Sequence, residues 1–236
     1  MVDQAKAGLH ALSDTAHAST MQRYFKTGPG EYAEGDRFIG VRVPQVRQIA
    51  KKFRNIPLNE IPVLLASPVH EERLLALIIL TLLYPRSGPA TQQEIYRLYL
   101  QYMPYINNWD LVDVSAMHIV GAHLFRRSRE PLRTLAKSHN LWYRRIAILS
   151  TFHFIRKEEY DDTLKIAELL LKDAEDLIHK AVGWMLREVW KRDCAAVEPF
   201  LKQHTADMPR TMLRYAIERM PEQLRKKYLD GSIQQW

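Results

Sequence analysis

At 236 residues the chain is long enough to bury a substantial core. One cysteine, Cys194, excludes an internal disulfide framework and fits a reducing cytoplasm, and no run reaches the roughly 18 apolar residues that a membrane span needs. With 34 Lys+Arg against 27 Asp+Glu the net charge is +7, so polyanions are the expected class of partner.

The first twenty residues mix Asp3, Lys6, His10 and Asp14 with small apolar residues, which does not read as a signal peptide. Strand signals are almost absent, whereas helical periodicity recurs to the C-terminus with short Pro, Gly, Ser or Asn breaks. It predicts helices near 3–25, 44–54, 58–66, 70–84, 90–103, 109–126, 130–138, 141–156, 159–173, 176–192, 195–205, 210–219 and 221–229. The one long irregular connection runs from Gly28-Pro29-Gly30 to Val43, with Pro44 at a helix start. Asn108 is the expected N-cap of the helix that follows it, and Asp110 lies where the helix dipole favours an anion. Trp109 and Asp113, four residues apart, share one face of that helix. Cys194 is expected to be a small buried residue rather than a nucleophile.

The helices form a repeat. Ala76, Ala116, Ala147, Ala181 and Ala216 each stand five residues into a helix, spaced 40, 31, 34 and 35 residues apart. A small residue at a fixed place in the second helix of each pair lets neighbouring pairs stack. The expected architecture is therefore all-α: one domain over 1–236, an α-solenoid of HEAT-like repeats with a concave basic surface. Two or three positions before each alanine stand Arg73, Asp113, Arg144 with Arg145, His179 and Arg214, so Asp113 is the one acid in a basic series. Lys180, Trp184, Arg187 and Lys191 share a helix face, and Arg210 and Arg214 pair at i, i+4. Cations interleaved with aromatic rings suit a nucleic-acid backbone. Either of Trp109 and Trp184 alone reads as a core residue beside a solvated face, but two on inner helices, each next to a charge, favour binding.

Asp113 carries three readings. It could pair with an arginine such as Arg145, it could repel phosphates, or it could face a positive charge that develops during reaction. Cleavage of an N-glycosidic bond generates such an oxocarbenium-like sugar. The scattered histidines, among them His118 and His123, lack zinc-ligand spacing, and no Walker A, GxGxxG or GxSxG motif occurs, so neither metal nor cofactor is expected.

Five segments in order carry a resemblance: Arg23-Tyr24-Phe25-Lys26, Phe38 to Pro44, Trp109 to Asp113, Leu141 to Leu149, and Ala181 to Glu188. Together they resemble the AlkD-type DNA alkylation repair glycosylases, a HEAT-like repeat family, from about Tyr24 to Tyr228. The resemblance implies a monofunctional glycosylase that releases N7-methylguanine and N3-methyladenine from duplex DNA without a base-flipping pocket. It implies a catalytic set of Trp109, Asp113 and Trp184, with Tyr24, Arg145 and Arg187 lining the DNA-binding surface. The sequence departs from some relatives at Arg42-Val43 and at His153, and both Arg42 and His153 join the expected DNA-binding set with Lys180, Lys191 and Arg214. A cytoplasmic monomer is expected. Two alternatives stay open: a non-catalytic repeat protein that binds bent or branched DNA, and a scaffold whose basic face meets an acidic peptide.

Overall fold

The computed structural model describes residues 1–233, and among them there is no strand, only a single bridge between Arg37 and Val69. The chain packs into two compact units, Met1–Ile119 and Val120–Trp236. The first contains α1 (Val2–His10), α2 (Thr15–Tyr24), α3 (Val43–Lys52), α4 (Ile61–Leu65), α5 (His70–Leu83), α6 (Pro89–Tyr102) and α7 (Trp109–Ser115). The second contains α8 (Ala122–Leu124), α9 (Glu130–Ala136), α10 (Leu141–Ser150), α11 (Phe152–Ile155), α12 (Asp161–Leu169), α13 (Asp176–Trp190), α14 (Cys194–His204), α15 (Arg210–Ala216) and α16 (Glu222–Asp230).

All five repeat alanines are buried, as a small residue at a helix crossing should be. In the first unit α5 is the hub. Its continuous apolar run buries residues on every side, and α3, α4 and α7 pack around it. The connection before α3 is fastened to this hub by Glu71, whose buried carboxylate accepts the backbone N–H groups of Ile39 (3.1 Å), Gly40 (2.8 Å) and Val41 (3.2 Å).

Three helices differ from the sequence expectation. Residues 3–25 form two helices, because Asp14 turns to extended backbone and caps α2 by accepting the His17 N–H at 3.0 Å. The turn brings Asp14 against Gly40, where φ is +83° and a Cβ would lie 2.0 Å from the Asp14 carbonyl oxygen. Only glycine fits there. The helix expected over 109–126 runs as α7, then a wide π-helical turn at Met117–Gly121, then α8. The one expected over 141–156 divides into α10 and α11 where the hydroxyls of Ser150 and Thr151 donate back to the carbonyls of Ile146 and Ile148, a pattern that bends helices.

In the second unit α13 is the hub, buried through Ile178, Ala181, Val182, Met185, Leu186 and Val189 and packed on α10, α14 and α15. Gly183 sets its closest approach to α15: a Cβ there would lie 2.5 Å from both the Met212 carbonyl oxygen and the Tyr215 Cβ. Gly183→Ala must push the two helices apart. It is expected to destabilise by about 1–3 kcal/mol in denaturant melts despite the higher helix propensity of alanine. A variant as stable as wild type would show that the contact yields without strain. Cys194 is exposed rather than buried as expected: it opens α14 beside the Asp193 cap, and the first turn buries Val197 instead.

Candidate functional site

The start of α7 is rigidly built. Asn108 is fully buried, and its side-chain oxygen accepts the Trp109 N–H at 2.8 Å. Trp109 is half-buried and stacks on Phe25 (centroids 5.0 Å apart, 18° between planes), meets the edge of Tyr24 at 6.1 Å, and is hydrogen-bonded through its indole to the Tyr32 hydroxyl. The stack continues inward from Phe25 to Phe38 (5.0 Å, 19°) and from Phe38 to His70 (4.3 Å, 23°). Offset aromatic stacks of this kind add about 0.5–1.5 kcal/mol per pair beyond burial.

Beneath the stack lies a buried charge cluster. His70 contacts Asp36 through Nδ1 (2.9 Å) and Asp110 through Nε2 (2.8 Å), so both ring nitrogens face carboxylates. Burial alone would push the His70 pKa down, but the charges and hydrogen bonds of Asp110 and Asp36 raise it to about 9. The imidazolium form is therefore the neutral-pH species. Asp36 also pairs with Arg73, which donates to the Ser67 carbonyl (2.8 Å) and to the Asn107 side-chain oxygen (3.1 Å). Burial raises the Asp36 carboxyl, but His70 and Arg73 outweigh it and hold it below the usual carboxylate range. Asp110 thus joins His70 at the very turn that carries Trp109.

Asp113 stands one turn beyond Trp109 and is half-buried. Close by, Tyr99 is fully buried with its hydroxyl 3.0 Å from Ser115 Oγ; burial first, and the nearby Asp113 charge second, push the phenol pKa up.

Three of the basic residues at the equivalent repeat positions bond to their own backbone. Arg73 donates to the carbonyl of Ser67, Arg144 to that of Ser138 (3.0 Å) and His179 to that of Asp173 (2.5 Å), in every case six residues back. Each clamps the turn that leads into its own helix. Arg73 and Arg144 are further neutralised by Asp36 and Asp173. An acid at Asp113 cannot donate such a bond, and the turn before α7 is held instead by Arg73 through Asn107 and by the buried Asn108.

In the second unit Trp184 is half-buried and meets Phe152 edge-on at 5.8 Å. Along the same helix Lys180 pairs with Asp176 (2.7 Å), Arg187 with Glu218, and Lys191 with Glu188 (3.1 Å). Arg145 is only 5% exposed and donates to the Leu177 carbonyl at 2.6 Å, so it braces the first turn of α13 from beneath. His153 is half-buried edge-on to Phe125 at 5.3 Å, and Arg214 is exposed on α15. In the first unit Tyr24 is 65% exposed, and Arg42 is exposed at the cap of α3, where its N–H donates to the Gln45 side-chain oxygen (3.0 Å). The structure thus brings Tyr24, Trp109 and Asp113 to one region of the first unit, and Lys180, Trp184, Arg187 and Lys191 to one helix of the second. Sequence reasoning missed Tyr32, Asp36 and His70, which hold Trp109 or its turn; the density of aromatics between Tyr24 and Phe38 was the available signal.

Among the described residues no group of three or more His, Cys, Asp or Glu is arranged to hold a metal ion, and no helix is long and apolar enough to cross a membrane. No curated protein matches the chain significantly. Solved structures do: a predicted DNA alkylation repair enzyme from Enterococcus faecalis, 19% identical with a TM-score of 0.69, covers 89% of this chain and 97% of its own. AlkD2 from Streptococcus mutans, 17% identical with a TM-score of 0.54, covers 87% of this chain and 98% of its own. These likenesses establish a shared helical-repeat fold. A model of the DNA alkylation repair enzyme family matches residues 5–220, nearly the whole chain. The chain belongs to the DNA alkylation repair enzyme family, which implies DNA as its partner.

Proposed function

We propose that the protein is a monofunctional DNA glycosylase that releases cationic alkylated purines, N7-methylguanine and N3-methyladenine, from duplex DNA. The observation that carries this reading is the Trp109–Asp113 pair on α7: a braced indole face and, one turn on, a half-buried carboxylate. The C1′–N bond breaks with its electron pair leaving on the purine, which neutralises the cationic ring. No general acid is required for that departure. The sugar becomes an oxocarbenium ion, which Asp113 stabilises electrostatically. A water aligned by Asp113 attacks C1′ and forms the new C1′–O bond, and its proton passes to the Asp113 carboxylate, which releases it to solvent.

In this reading Trp109 and Trp184 offer aromatic faces to the lesion's deoxyribose. Tyr24, Arg42, His153, Lys180, Arg187, Lys191 and Arg214 meet the duplex, with Arg145 bracing α13 beneath them. The carboxylate partners of Lys180, Arg187 and Lys191 do not oppose this role. The exposed pairs of Lys180 and Arg187 contribute only about 0–1 kcal/mol each and exchange readily for phosphate. The buried Glu188 keeps Arg192 as its partner when Lys191 turns away. Incubation of the protein with methylated duplex DNA, followed by chromatography of the released bases, is expected to yield 7-methylguanine and 3-methyladenine and leave abasic sites. Tight duplex binding without base release would replace this reading with that of a non-catalytic protein for bent or branched DNA.

A further inference from the structure

Glu218 stands between two arginines. It forms an ion pair with Arg187 of α13, and the side chain of its neighbour Arg219 lies 3.7 Å away. It also lines a groove between α15 and α16 whose other walls are Arg214 and Arg225. The groove is floored by the buried Ile217 and by Leu229, and its ends are tied together where Arg210 donates to the Leu229 carbonyl at 2.8 Å. Two guanidinium groups therefore approach one carboxylate that is itself 46% exposed, and two more line the groove it faces. No fold requirement demands that excess, since Glu218 buries little and caps no helix.

A carboxylate resembles a phosphodiester in the two features that guanidinium groups read: a single negative charge and a pair of terminal oxygens that accept parallel N–H bonds. The apolar floor suits the deoxyribose on either side of a phosphate. We infer that the α15–α16 groove is an additional phosphodiester-binding site, in which Glu218 holds the phosphate's place until the DNA backbone displaces it. This rests on the reading of the protein as a duplex-binding enzyme, and it assigns Arg225 a part in that binding. Before DNA arrives, Glu218 keeps the arginines ordered and limits their mutual repulsion; on displacement it turns to solvent.

The test is binding of an undamaged synthetic duplex across a range of salt concentrations. Glu218→Gln removes the competitor without changing shape, and it is expected to bind about threefold to fivefold tighter at low salt, the scale of one exposed ion pair. The slope of log affinity against log salt should steepen by up to about one unit. Arg225→Ala should bind more weakly and flatten the slope by about one unit. Glu222→Gln, which deletes the same charge from an exposed pair with Lys226, controls for net charge and should change affinity less than about twofold. The gain from Glu218→Gln should shrink in an Arg187→Ala background. If Glu218→Gln and Glu222→Gln behave alike, or Arg225→Ala binds as wild type does, the groove is not a phosphate site. A wild-type protein that binds duplex but releases no base would leave this site standing and remove the catalytic reading. One that binds no duplex would remove both.

Discussion

Asp113→Asn is expected to slow release of 7-methylguanine from a synthetic duplex by about 10²- to 10³-fold while leaving duplex affinity within about twofold of wild type. The substitution keeps the shape of the side chain and deletes only its charge. The ground-state lesion carries its positive charge on the purine, whereas the transition state moves it onto the sugar. Two opposite unit charges 4 Å apart attract by about 4 kcal/mol at an effective dielectric of 20, about a thousandfold in rate. The half-buried position beside the buried Tyr99 supports a dielectric of that order rather than that of water. Because the charge-stabilising interaction exists only in the transition state, kcat should fall with little change in KM. Single-turnover release from a duplex with one 7-methylguanine, paired with a gel shift on the same duplex, separates the two. Release at the wild-type rate would remove Asp113 from the chemistry. Equal losses of binding and release would make it a structural residue of α7.

The helices were legible because burial imposes a 3.6-residue period, and the alanine series because a close crossing tolerates only a small side chain. Their breaks were less legible. The turn at Asp14 depends on Gly40 approaching from 26 positions away, and no local pattern announces that. The two key residues of α7 could be paired from sequence, since i, i+4 spacing alone puts Trp109 and Asp113 on one face. What fixes Trp109 could not be read in this way, because Tyr32, Phe25, Phe38 and His70 meet it or one another only in the folded chain. The basic series has a local role that its spacing does not announce. Arg73, Arg144 and His179 have the side-chain reach to find a backbone carbonyl six residues back, and a buried acceptor wins over solvent. Beside these three turn clamps Asp113 is distinctive: an acid cannot donate to the turn before its own helix, and the work passes to Arg73, Asn107 and Asn108.

His70→Gln is expected to destabilise the protein by about 3 kcal/mol near pH 6.5 and to abolish most of its loss of stability between pH 6.5 and 9. In the native state burial lowers the imidazole pKa, but Asp110 and Asp36 raise it further, to about 9; the unfolded value is about 6.5. The native state therefore binds a proton that the unfolded chain gives up across this interval. The stabilisation is fully present below pH 6.5 and is lost as the pH rises through 9, on the order of 3 kcal/mol in total. The acid side runs the other way. Asp36, held below the usual carboxylate range by His70 and Arg73, contributes above its unfolded pKa and loses that contribution as the pH falls through its native value. His123 does not confuse the alkaline window: burial and Arg127 push it down to about 4, so its effect is complete by pH 6.5. Urea melts of wild type and variant at half-unit pH steps give both curves. Glutamine can hydrogen-bond but carries no charge, so the two curves should converge towards pH 9. If the gap between them stays constant with pH, His70 is neutral in the fold and the cluster under Trp109 is held by its hydrogen bonds and the Asp36–Arg73 pair. A closing gap instead assigns its cohesion to the imidazolium, and ties the rigidity of the Trp109 face to the protonation of a residue three rings away.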